Sequence, residues 1–448
     1  MADHVPGRSR ATGRSHAAPS GGPYADEIDT YGMHPRAVSL IGVPMTLTTG
    51  PPTEATDVLI DATSTWGYRR SVPLQRRFDA AVGQLRQTDS WTDTDGEAVL
   101  AADLVLEGGG VKGIGLVGAV LVLDEAGYLF PRVAGTSAGA IAATLIASIG
   151  RAGRPMTALN GYVRSLDFAK FKQLGPAANW IQRLGGIGEK VVDATELMRH
   201  MGIYPGNYLG EWLRPLLADL GVSIFSDLAI TLEDDPGMSL PPERRFRLVI
   251  HASDITRGEL VRIPWDFDYY GLERDTEDVV RGVRASMSIP FFFEPVTVEA
   301  TTCDVTVPGP GDTSVVEHFE GGSVTWVDGG MLANFPIDAF DRVDGKPPRW
   351  PTIGIKLSAR SLEMPKTVAA HSTTQEAVRC LQTMMNEWDR YHVEQSAVAR
   401  TIFIDNMGIS ATQFELTPDQ QDALFLSGVR AATDFLIQTA GAGGVPRA

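Results

Sequence analysis

Leu74, Phe78, Val82 and Leu85 recur at helical spacing and share one face, while Arg76, Arg77 and Arg86 lie elsewhere. The pattern predicts an amphipathic helix over residues 72–87, packed on a larger body. From about residue 100 the patterning strengthens. Leu104–Leu106 reads as a short buried strand and Gly108–Gly110 as a loop. Ile114–Ala126 is apolar nearly all round, which predicts a buried helix, with Gly127 as its C-cap. Arg132–Ala134 predicts a second strand, Gly135–Gly139 a tight turn, and Ala138–Ile149 a second helix closed by Gly150. The order strand, helix, strand, helix implies parallel strands with a right-handed crossover.

Further along, Tyr208, Leu209, Trp212, Leu213, Leu216 and Leu217 repeat at helical spacing within a largely helical stretch, 155–235. Phe246–Ala252, Val324–Val327 and Ile353–Leu357 read as strands, and Glu376–Val398 and Asp419–Leu436 as helices. Thr301–Gly322, rich in Gly, Pro and Asp, reads as a loop or hairpin insertion. Ile289–Phe293 is either a core strand entry, the preferred reading, or a lipid-contacting patch. No internal repeat is present. The expected fold class is α/β: three layers, α/β/α, around a mostly parallel central sheet. The expected organisation is a disordered tail over 1–50, an extension with one amphipathic helix over 51–97, and the main domain over 98–440.

Composition narrows the function. The chain has 448 residues, 43% of them hydrophobic, and a formal net charge of −16. That charge argues against nucleic acid as a partner, since no basic excess exists to displace counterions. It also argues against docking on anionic lipid by a polybasic patch, so contact with a membrane would be apolar. The cysteines, Cys303 and Cys380, form no disulfide framework and no zinc-spaced cluster; no metal and no cofactor are expected. Met1–Tyr24 lacks the apolar region of a secretory leader. The longest apolar runs, Leu116–Leu123 and Ala138–Ile149, fall short of the roughly 18–20 residues that span a bilayer. The expectation is a cytoplasmic protein without a transmembrane segment, peripheral to a membrane where it meets one.

Three elements carry chemistry. Gly135-Thr136-Ser137-Ala138-Gly139 matches G-x-S-x-G between a strand and a helix. In that context a serine sits on a sharp turn with its hydroxyl clear of the sheet and the positive end of the following helix aimed at it. Elsewhere the same pattern would be a Gly/Ser helix cap. Glu107-Gly108-Gly109-Gly110-Val111-Lys112-Gly113 leaves backbone N–H groups unobstructed, as an oxyanion site needs. It also matches the dinucleotide loop G-x-G-x-x-G. That alternative wants an acidic residue at the end of the next strand, where this chain has Gly-Thr-Ser-Ala-Gly. No Lys-Ser/Thr pair ends the loop, which removes a P-loop, and Lys112 reads as a surface or loop-bracing cation. Asp328-Gly329-Gly330 ends a strand; alone it would be an ordinary turn.

Together these elements resemble the patatin-like phospholipase family, which pairs a G-x-G-x-x-G oxyanion loop, a G-x-S-x-G nucleophile and a later D-G-[AG] base. Here they correspond to Gly108–Gly113, Gly135–Gly139 and Asp328–Gly330. The short separation of loop and serine, 27 residues from Gly110 to Ser137, is also similar to that family. So are the stretches beginning at Gly202, Ala252, Arg284 and Asn334. The resemblance covers roughly residues 100–400 and leaves out the first 95. It implies a lipid acyl hydrolase of phospholipase A or lysophospholipase type, working through an acyl-enzyme. Ser137 would be the nucleophile and Asp328 the base. Gly108, Gly109, Gly110 and Gly113 would form the oxyanion loop, and Gly135, Gly139, Gly329 and Gly330 would support the motifs. The substrate would be a lipid or phospholipid.

Two rivals stand beside this reading. One is an ordinary Ser-His-Asp hydrolase with His371 or His392 as base; His251, near Asp254, reads as structural. That fold usually separates oxyanion loop and nucleophile by several elements, unlike here. The other is a non-enzymatic nucleotide-binding module using Gly108–Gly113.

Overall fold

In a computed structural model of the chain, the residues described are 57–61, 66–92, 97–172, 204–232, 238–308, 313–342, 348–357, 395–411 and 413–447. The expected tail over 1–50, Cys380, His371, His392 and most of the helix expected over Glu376–Val398 lie outside them.

The first helix, α1 (Val72–Thr88), begins at Ser71, whose hydroxyl accepts the N–H of Leu74, and buries Leu74, Phe78, Val82 and Leu85 as the spacing predicts. The main body starts at β1 (Asp103–Leu106), every residue of which is buried. It is followed by α2 (Ile114–Ala126), which ends on Gly127 at φ 92°. Next come β2 (Val133–Thr136) and α3 (Ala138–Arg151). The chain runs on through α4 (Asn207–Asp219), β3 (Leu248–Asp254), β4 (Glu259–Ile263) and α5 (Val279–Ser286). It closes with β5 (Val296–Ala300), β6 (Gly322–Asp328), β7 (Thr352–Lys356), β8 (Thr401–Phe403) and α6 (Pro418–Ala442).

The eight strands form one sheet, in the order β5-β6-β3-β2-β1-β7-β8, with β4 also paired to β3. Its centre is parallel: β3 with β2, β2 with β1, β1 with β7 and β7 with β8. Strands β4, β5 and β6 run antiparallel on one side. Helices pack around the sheet. The all-round apolar character of α2 has a direct cause: α6 packs closely along it. A Cβ on Gly118 would lie 2.2 Å from the Phe425 carbonyl oxygen, so the two backbones touch there.

Some boundaries differ from expectation. Gly150 lies inside α3 rather than closing it; the chain turns away at Gly153, the glycine that takes positive φ (61°). Strands β4 and β5, only five residues each, were not expected. Within the insertion, Cys303–Pro308 pairs antiparallel with Ser314–Phe319. Ile289–Phe293 is a turn, not a strand entry: Phe293 is buried, while Phe291 is exposed at φ 66°. Among the described residues, no helix is long and apolar enough to cross a membrane.

Candidate active site

The parallel strands β1, β2 and β7 all deliver their C-terminal ends to one side, where open α/β sheets build their sites. Register places Leu106 beside Gly135 and beside Ile355. The glycine loop leaving β1 and the serine turn leaving β2 are therefore immediate neighbours.

Ser137 is the N-cap of α3, at φ 54° and ψ −120°, a region that a residue with a side chain avoids. The flanking glycines are required by contact. A Cβ on Gly135 would sit 2.2 Å from the Gly139 carbonyl oxygen, and one on Gly139 would sit 2.2 Å from that of Leu106. The turn is thus folded onto itself and pressed against the end of β1. The Ser137 N–H donates to Ser286 Oγ at 2.9 Å, and Ser286 Oγ donates to the His251 carbonyl at 2.6 Å. Ser137 is 5% exposed.

Asp328, the last residue of β6, is fully buried. Its N–H donates to the Ser288 carbonyl at 2.9 Å, and its Oδ1 accepts the Gly330 N–H at 2.8 Å. Burial raises the carboxyl from 3.8 to about 7, against the lowering influence of the Gly330 N–H and the Ser137 hydroxyl. The Ser137 side chain is thus within interaction range of the carboxyl. No hydrogen bond of full geometry has formed, since Oδ2 is left without a partner. That looseness is ordinary for a site without substrate. Gly329 is pressed on the His251 carbonyl, where a Cβ would fall at 2.3 Å.

The glycine loop is held from beneath. The Glu107 carboxylate is buried and bonds both the Lys356 ammonium and the Leu357 N–H. Lys112 lies in the same loop, where burial lowers its pKa against the raising influence of Glu107, and Lys356 lowers it further. Gly108 donates its N–H to the Asn334 carbonyl at 3.2 Å, and the Asn334 amide donates back to the Gly108 carbonyl at 3.2 Å. The Val111 N–H goes to the Ala411 carbonyl at 3.2 Å. Among the described residues, the N–H groups of Gly109 and Gly110 bond to no carbonyl outside this turn. Gly110 takes φ 56°. Gly113 touches the first residue of α3, a Cβ there lying 3.2 Å from Ala138 Cβ.

His251 lies within β3, fully buried. Desolvation lowers its pKa to about 4, its hydrogen bond is with the Gly135 backbone, and the Arg262 charge lowers it further. A neutral imidazole committed to the sheet is a structural group. Arg284 fixes the segment after α5, donating to the carbonyls of Pro205 at 2.7 Å and Glu294 at 2.8 Å. Burial lowers its pKa to about 10. Sequence reading missed Ser286 and Asn334 as contributors. Their only signal was membership of the Arg284 and Asn334 stretches, which does not show what a hydroxyl or amide bonds. A cavity of about 990 Å³ opens at the opposite, N-terminal end of the strands, among Arg132, Trp265, Phe340 and Trp350; neither Ser137 nor Asp328 lines it. Among the described residues no cluster of three or more His, Cys, Asp or Glu could hold a metal.

The family model described as patatin-like phospholipase matches residues 104–341. YqhO of Bacillus subtilis (strain 168), an uncharacterized protein, is 34% identical over 337 residues, covering 75% of this chain and 98% of its own. Among solved structures, VipD from Legionella pneumophila aligns with a TM-score of 0.38 at 16% identity, over 78% of this chain and 69% of that one. The ExoU–SpcU complex from the type III secretion system of Pseudomonas aeruginosa aligns at 0.36 and 14% identity, over 76% of this chain and 52% of that one. At these scores neither structural likeness bears on the chemistry.

Proposed function

Because the chain belongs to the patatin-like phospholipase family, we propose that it is a lipid acyl hydrolase with Ser137 as nucleophile and Asp328 as general base. The observation that carries the reading is the meeting of the Ser137 hydroxyl with a fully buried carboxyl whose pKa burial has moved to about 7. An ordinary aspartate, near 3.9, is a poor acceptor for a serine proton; one near 7 is matched to neutral pH.

The steps follow from the positions. Ser137 Oγ attacks the ester carbonyl carbon while its proton passes to Asp328. The carbonyl oxygen becomes an oxyanion, taken up by the N–H groups of Gly109 and Gly110, which among the described residues bond no carbonyl outside the turn. Gly108 and Gly113 serve as spacers, the first engaged with Asn334 and the second against α3. Asp328 then protonates the leaving alcohol or lysolipid, and the C–O bond breaks to give an acyl-Ser137 ester. Water, deprotonated by Asp328, attacks that ester; the fatty acid leaves and Ser137 recovers its proton. The lipid is met by apolar contact, in keeping with the charge of −16, and the protein works in the cytoplasm, peripheral to the membrane.

A fluorophosphonate probe tests the reading. It should label wild-type protein at Ser137, and Ser137→Ala should be unlabelled and inactive on a soluble ester while keeping its melting temperature. Labelling at another serine would refute the assignment.

A further inference from the structure

Ser286 is a fully buried serine at the last position of α5. A serine or threonine on a helix commonly bonds back to the carbonyl four residues earlier. This protein does so at Thr144, Thr433 and Thr439, and at Ser288 just beyond α5. Ser286 does not. Its hydroxyl leaves its own helix, accepts the Ser137 N–H at 2.9 Å and donates to the His251 carbonyl at 2.6 Å. It thereby ties the serine turn to β3. Two residues on, the Ser288 carbonyl accepts the Asp328 N–H at 2.9 Å. One three-residue stretch therefore holds the backbones of both Ser137 and Asp328.

We propose that Ser286 is a positioning residue, whose hydroxyl holds the Ser137 backbone in the conformation from which its side chain meets Asp328. The inference rests on the catalytic reading above. The backbone of Ser137, at φ 54°, is one that a side-chain-bearing residue keeps only when its surroundings over-determine it. The hydrogen bond to Ser286 is part of that determination, at a turn where both residues are buried. It also withdraws the Ser137 N–H from the reacting carbonyl, which leaves oxyanion stabilisation to the glycine loop.

The test compares Ser286→Ala, Ser286→Thr and Ser286→Cys with wild type on a soluble p-nitrophenyl ester, alongside thermal melts. Removing the hydroxyl leaves a buried N–H and a buried carbonyl unsatisfied at the turn. We expect kcat to fall about 10- to 100-fold in Ser286→Ala, with KM within about twofold, because the loss is in orientation rather than binding. Ser286→Thr, which keeps the hydroxyl, should recover most of kcat. A folded Ser286→Ala protein with wild-type kcat overturns the proposal. If that variant does not fold, Ser286→Cys keeps the volume with a weak donor and acceptor, and wild-type kcat there overturns it equally. Amide hydrogen exchange across residues 133–140 gives a readout independent of activity. Faster exchange in the variants is expected, and unchanged exchange counts against the proposal. Wild-type protein unlabelled by fluorophosphonate, with exchange faster in the variants, would instead refute the catalytic reading and leave the positioning contact standing.

Discussion

Replacing Asp328 by Asn separates what the carboxyl does for chemistry from what it costs the fold. The amide keeps the shape and an oxygen for the Gly330 N–H, now at 2.8 Å from Oδ1, but removes the proton acceptor. Activity should fall by about 10²- to 10⁴-fold. Stability should move the other way. Raising the carboxyl from 3.8 to about 7 corresponds to roughly 4 kcal/mol of preference for the neutral form, at 1.36 kcal/mol per pH unit. Below about pH 4 the group is protonated in both folded and unfolded chains. Between about pH 4 and 7 the unfolded chain ionises first, so folding stability falls as pH rises through this window. His251 has the opposite slope: lowered from 6.5 to about 4, it loses stability as pH falls through about 6.5 to 4, by roughly 3 kcal/mol. In wild type the two nearly cancel over that range. Asp328→Asn removes one of them and exposes the other. Urea unfolding at pH 4.5, 5.5, 6.5 and 8 should show the variant gaining stability relative to wild type as pH rises, to several kcal/mol at pH 8. The activity of wild type should itself rise with pH to a limb near 7. Equal pH slopes in the two proteins, or a variant with wild-type turnover, would refute the assignment of both the base and its environment.

Two further substitutions probe the frame of the site. Gly139→Ala would place a Cβ 2.2 Å from the Leu106 carbonyl oxygen, and neither backbone can yield without moving β1. We expect little folded protein, or a melt lowered by many degrees, whereas Gly150→Ala, with open space at its Cβ, should be neutral or slightly stabilising. Glu107→Gln breaks the buried pair with Lys356, which should cost about 3–5 kcal/mol in denaturant unfolding. Lys356→Met added to it should recover part of that loss, because the uncompensated ammonium is then gone.

Local chemistry made the site motifs readable. Backbone contacts of 2.2–2.3 Å allow only glycine at Gly135, Gly139 and Gly329, and a Cβ on Gly108 would fall 2.3 Å from the Asn334 side-chain oxygen, so the motif glycines in the sequence record close approaches. Helix α2 was readable from its all-round apolarity and its Gly127 cap, and α1 from its single apolar face. What stayed hidden depends on non-local contact. Strands β4 and β5 are edge elements of five residues whose alternation, buried at Val261 and Ile263 and at Val298 and Ala300, runs too briefly to mark a strand. Gly150 resembled a helix terminator because sequence does not show that Gly153, three residues later, takes the positive φ. Ser286 was invisible as a contributor because a serine's hydroxyl acquires meaning only from what it bonds, here a turn 149 residues away. The phenylalanine run at 291–293 was misjudged as a strand entry because three consecutive aromatics look like core; in the fold they divide, Phe293 inward and Phe291 outward.

On the proposed reading, the same dryness that makes the serine turn and the carboxyl costly to fold makes a two-residue mechanism sufficient. In water the Asp328 carboxylate would be too weak a base, and a histidine would be needed between it and the serine. On that reading desolvation supplies the basicity directly, at the expense of roughly 4 kcal/mol of stability above neutral pH. That penalty is tolerable because α2, β1 and β2, all buried with the neighbouring strands and α6 in one hydrophobic core, form a rigid frame behind the site. It follows that hydration of the site should weaken the base. A polar replacement of a side chain packed on the Asp328 carboxyl, one that admits water beside it, should lower the pH limb of activity below 7 and reduce turnover together. Lower turnover with an unmoved limb would show that burial is not the source of the raised pKa.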